Sequence, residues 1–211
     1  MREPSYADRQ GVTIGAVAGM SISVRRRMMR RVLSVAAAGL AAACGAITPP
    51  PDTPRVPAAA LGTNGDVDEA AASIAAWDFA DPSHTNGDPA SAARGVIALE
   101  YMAGQMSSSP RYAAASPLVQ QQMLDARQEL RAVLGIAAGT PSQEVVDAMI
   151  AVENASLAGD VPGESRALSG PAFTLGADAT RQRLLALPQL PITNVATEHA
   201  QFETDLGRGN F

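Results

Sequence analysis

The chain has 211 residues, of which 46 % are hydrophobic and only 4 % aromatic, and all 16 basic residues are arginine. The absence of lysine excludes Schiff-base chemistry and a lysine-bearing phosphate loop. From Cys44 onward nine arginines face nineteen acids, a net charge of −10, which argues against nucleic acid as a partner and against electrostatic adhesion to anionic lipid.

Alanine supplies much of the hydrophobic fraction. It buries little area but favours helix, so the core must rest on a limited set of Leu, Val, Ile, Met and Phe within helices. The first stretch, Met1 to Gly19, carries acids ahead of a strongly basic run. Translation starting at Met20, Met28 or Met29 would account for it. The run "RRRMMRR", Arg25 to Arg31, is followed by the apolar segment Val32 to Ala43. A basic segment, a short apolar run and a small-residue exit form the pattern of a secretory signal peptide. A run of twelve residues is too short to span a bilayer as a helix, which needs about 20.

The run "LAAACG", Leu40 to Gly45, ends on the only cysteine and resembles the lipobox of bacterial lipoproteins. The leucine stands four residues before Cys44 rather than three, and Ala41 occupies the third position. The resemblance implies lipidation of Cys44, cleavage just before it, and a mature chain held to a membrane by fatty acyl chains. Gly45 in place of an aspartate implies the outer membrane, facing the periplasm. The alternatives are a plain cleaved signal, or an uncleaved helix in which Cys44 is an ordinary small side chain.

Ile47 to Ala60 contains five prolines and predicts an extended spacer. The expected layout is upstream residues and signal over 1–43, a flexible tether over 44–64 and a helical domain over 65–211. Within the domain, Asp66 to Phe79 predicts a short helix, and "DPSHTNGDP" (81–89) is dense in turn formers. Asp88-Pro89, Ser116-Pro117 and Thr140-Pro141 repeat one start signal, a capping side chain followed by proline at the first helical position. Ala92, Val96, Leu99, Ala103 and Met106 form the stripe of the first of these helices. Val119, Met123, Ala126, Leu130, Val133 and Leu134 form that of the second, with Gly135 as its stop. Val145, Met149 and Val152 form the third, closed by Gly159. A looser stretch covers Asp160 to Gly176. Two short helices, about 177–187 and 193–206, flank the rigid "LPQLP". No segment alternates at period two, so the expected class is all-α, a small bundle of about four to six helices.

Catalytic chemistry is thinly represented. His199 falls on the apolar stripe Val195–Phe202–Leu206, which predicts a packed histidine bonded to Glu203, and His84 lies in the turn-rich loop. No histidine pair has metal-ligand spacing, and no serine sits in a nucleophile elbow. The acids at 66, 68 and 69, and those at 78, 81 and 88, lack calcium-loop spacing. No metal and no cofactor is therefore expected. Trp77, Phe79, Tyr101 and Tyr112 fall near one another. They are expected mainly as packing anchors, and with His84 and His199 they are the candidates for a ligand cleft or interface. The expected function is a non-enzymatic envelope lipoprotein that binds another envelope protein, with a homo-oligomer open. The alternative is a periplasmic small-ligand or metal-binding module.

Overall fold

The computed structural model describes residues 52–208. Cys44 and the signal-like segment lie outside the described residues. Among the described residues there are seven α-helices: α1 (Val67–Ala80), α2 (Pro89–Ser108), α3 (Pro117–Leu134), α4 (Ser142–Leu157), α5 (Val161–Ala167), α6 (Ala177–Leu185) and α7 (Pro191–Arg208). Among the described residues there is no strand, only an isolated bridge between Ile136 and Phe173. The class is the expected all-α bundle. The additional helix is α5, in the stretch expected to be loose. Asp160 starts it by accepting from the Gly163 amide at 2.9 Å.

Helices α1, α2, α3 and α7 form a closed ring, each packed on its two neighbours. Helix α4 covers the outer side of α2, and α5 and α6 continue from it. The position of α2 explains its sequence. It is lined on nearly every side by buried small or apolar residues, including Ala92, Val96, Ile97, Leu99, Met102 and Met106, as expected for a helix with neighbours all round. The predicted stripes of α3 and α4 are buried as expected, except Val133, which is half-buried. Gly135 ends α3 at φ +67, and a side chain there would run into Leu175.

The three cap-proline starts behave differently. Asp88 caps α2, accepting from the amides of Ala90 and Ser91 at 3.0 and 3.1 Å. Ser116 makes no such bond with its side chain. At α4 the cap position falls on Pro141, not Thr140, whose hydroxyl is turned back to the Ala137 carbonyl. Proline has no side chain able to cap, so the first amide of α4 needs an acceptor from elsewhere.

Asp52 supplies it, which changes the expected tether. The Ser142 amide donates to Asp52 Oδ1 at 2.8 Å, across 90 residues of sequence. A carboxylate placed there also faces the positive end of the helix. Thr53 reaches Ser108, and the Gln143 amide pairs with both backbone groups of Arg55. Ala60 and Leu61 are buried in a short 3-10 turn. The chain can cross α2 because residue 104 is glycine: a Cβ there would lie 2.7 Å from the Thr53 Cα. Residues 52–61 are thus packed on the domain rather than forming the distal part of a free tether.

Candidate interaction surface

Helix α7 departs most from the sequence expectation. Its buried face is Thr193, Ala196, Thr197, Ala200 and Thr204. Thr197 and Thr204 return their hydroxyls to the carbonyls of Thr193 and Ala200, at 2.9 and 2.8 Å, so these polar groups enter the interior already bonded. Small side chains let α7 lie close on α1, whose own buried face is largely alanine. The large apolar residues point the other way. Ile192, Val195, Phe202 and Leu206 are between 42 % and 62 % exposed.

The stripe expected to be inward is therefore outward, and His199 is exposed with it. Its Nδ1 lies 2.9 Å from Gln122 Oε1 on α3, so its partner is Gln122 and not the expected Glu203. Glu203 instead accepts from the Ser116 amide at 3.3 Å. These two contacts set α3 and α7 antiparallel, with Leu118 level with Phe202. Leu118 is 64 % exposed and widens the apolar surface.

The other candidates separate into unrelated places. Phe79, Tyr101 and Tyr112 are buried, as anchors should be. Trp77 is not: it is 64 % exposed at the end of α1, and His84 stacks on it at 3.9 Å between ring centroids. His84 Nδ1 is 2.6 Å from the Trp77 carbonyl oxygen, which fixes the ring over the indole. The six residues do not line one cleft.

Tyr101 and Tyr112 both donate to buried Asp68, at 2.6 and 3.2 Å, and Arg111 reaches Asp68 and Asp66 at 3.1 and 2.7 Å. Burial pushes the Tyr101 hydroxyl above its ordinary range and Tyr112 up to about 12, so both stay protonated donors. The Arg111 guanidinium, with the amides of Asp68 and Glu69, holds Asp66 below the usual carboxylate range.

A second cluster went unrecognised in the sequence. Glu100 is fully buried and takes a two-pronged bond from Arg131, both contacts at 2.7 Å. Burial alone would weaken the Arg131 charge, but Glu100 outweighs it and holds the guanidinium above its ordinary value. Ser142 Oγ sits within 2.7–3.0 Å of Asp52, Glu100, Arg127 and Arg131. All four contacts are polar, and the hydroxyl is enclosed. That geometry suits a structural junction and not an attacking nucleophile. The outer side of Arg127 and Arg131 lines a groove of about 570 Å³ with Gln121, Leu124, Gln128 and Ile136.

Comparisons with family models, with curated proteins and with solved structures return no match to the chain. Among the described residues no three His, Cys, Asp or Glu side chains group as a metal site, and no helix is long and apolar enough to cross a membrane.

Proposed function

We propose that this chain is a non-enzymatic lipoprotein of the bacterial envelope, anchored through Cys44, whose helical body docks another envelope protein. The observation that carries the docking role is the outward apolar face of α7. A folded domain normally turns its large apolar side chains inward, and here Thr and Ala take that place. A contiguous exposed patch of this kind is characteristic of a contact surface. The non-enzymatic part is supported by the polar clusters, whose members bond to one another around Asp68 and around Ser142.

The anchor rests on the lipobox-like run before Gly45. Seven residues lie between Cys44 and Asp52, so a lipidated Cys44 would keep Asp52 within about 30 Å of the acyl chains. The body would then work close to the bilayer, on the periplasmic side of the outer membrane. Intact mass and N-terminal analysis of protein extracted from native membrane tests this. A chain beginning at Cys44 with diacylglycerol mass is expected. An unmodified chain retaining Met1 would overturn the anchor. For docking, mild-detergent purification should recover a partner in amounts stoichiometric with the chain; its absence would count against the role.

A second reading, a small-ligand module, is favoured by the groove along α3, where Arg127 and two glutamines meet an apolar wall. A thermal-shift panel of small anions and envelope metabolites tests it, and a flat response would remove it.

A further inference from the structure

The outward face of α7 has a regular spacing. Ile192, Val195, His199, Phe202 and Leu206 follow one another at intervals of three, four, three and four residues. That is the a/d repeat of a coiled-coil seam carried over two heptads, with Ile192, His199 and Leu206 at a and Val195 and Phe202 at d. A surface helix ordinarily shows such a stripe only towards its own core, and α7 has a separate buried face on its opposite side. The seam runs from Ile192 to Leu206, fifteen residues and about 21 Å of helix. Resting on the docking role proposed above, we infer that α7 binds one amphipathic α-helix of another protein, with an apolar seam flanked by Lys or Arg.

The flanks select this occupant. In the same register Glu198 and Asp205 fall at g, and Glu203 at e. Charges at e and g decide which helices pair. A parallel second copy would set Glu198 against Glu203 of its partner. An antiparallel copy would set Glu198 and Asp205 against each other. Both arrangements place like charges together, which works against a homodimer through this face. A bilayer surface fits no better, because helices that lie in the interface carry Lys and Arg on the polar side. A helix with basic flanks sets opposite charge beside all three acids. His199 at an a position, held by Gln122, adds the polar seam residue that fixes register in paired helices.

The test uses the full chain and two synthetic helices of about four heptads with the same Ile/Leu seam, one flanked by Lys and one by Glu. Fluorescence anisotropy should show binding of the Lys-flanked helix only, weakening as salt rises. Phe202→Glu should weaken it about thirtyfold or more, as loss of a central aromatic anchor does. Phe202 is exposed, and unchanged circular dichroism would show that the variant is folded. Glu198→Lys should reduce affinity for the Lys-flanked helix and raise it for the Glu-flanked one. Equal binding of both helices, or of neither, would overturn the proposal. So would a dimer in sedimentation, or binding to phosphatidylglycerol vesicles, that Phe202→Glu abolishes. If neither helix binds while a stoichiometric partner is still recovered from native membrane, this assignment falls and the docking role stands. If both fail, both fall.

Discussion

Asp78 should make the protein less stable at neutral pH than at mildly acidic pH, and Asp78→Asn should remove that effect. Its side chain is only 6 % exposed and lines a narrow crevice with Phe79, Pro82, Thr85, Leu187 and Leu190. Burial raises its carboxyl to about 6 from an ordinary 3.8, outweighing the nearby positive charges of Arg94 and His84, while Asp88 adds to the rise. Arg94, the stronger of those two influences, is itself paired with Glu153 at 2.6 Å. A raised carboxyl means that the folded state holds the proton more tightly than the unfolded chain. The stabilisation is fully present below the unfolded value and is lost as pH rises through about 6. A difference of about two units corresponds to about 3 kcal/mol between pH 3.5 and pH 7.5. Asparagine keeps the shape and cannot ionise, so Asp78→Asn should gain about 2–3 kcal/mol at pH 7.5 and flatten the slope between pH 4 and pH 6.5. Urea denaturation followed by far-ultraviolet circular dichroism across that range measures both quantities. Asp66 is lowered, so its contribution is lost as pH falls through its ordinary value of 3.8 and touches only the acidic end of this window. A wild-type chain whose stability is flat or rising over that interval, with no gain from Asp78→Asn, would show that the buried carboxyl is stabilised as an ion, and the reasoning would be wrong.

Other outcomes follow from the remaining clusters. Asp52→Ala removes the cap of α4 and should cost about 1 kcal/mol, with faster hydrogen exchange at the Arg55 amide. Gly104→Ala should release the same segment by steric contact with Thr53, seen as protease cleavage before residue 57 in an otherwise folded domain. Glu100→Ala leaves Arg131 charged and largely enclosed, and should cost about 3–5 kcal/mol in denaturant midpoint analysis. Tyr101→Phe deprives Asp68 of a buried donor and should cost about 1–3 kcal/mol, whereas Trp77→Ala, at an exposed site, should stay within about 1 kcal/mol. A reversed order of those last two would refute the assignment of Tyr101 as anchor and Trp77 as surface.

Helix positions were legible because they depend on local chemistry: Asp88-Pro89 starts α2 and Gly135 ends α3, as caps and left-handed stops require. The orientation of α7 was not legible. Periodicity identifies an apolar stripe but not which neighbour it faces, and the choice was made by alanines on α1, distant in sequence, that accept only a thin helix face. Asp52 was misjudged for the same reason. A proline-rich segment predicts extension correctly, but its docking depends on a missing side chain at Pro141 and a missing Cβ at Gly104. Trp77 shows the limit of composition: in a chain poor in aromatics the largest one was expected inside, and a single stacking partner, His84, holds it at the surface. Glu100 and Arg131 carry no motif at all, because two-pronged pairing between helices leaves no fixed spacing.

The ring of α1, α2, α3 and α7 is sealed by α7, the last of its four helices in chain order. Until residues 191–208 are present, the alanine face of α1 and the adjoining face of α3 have nothing to close against, so the ring stays open while only α1, α2 and α3 have been made. Shortening the chain before Pro191 should therefore yield an open, aggregation-prone three-sided barrel and not a smaller folded domain. The order of synthesis thus delays closure of the ring until the last of its four helices has been made.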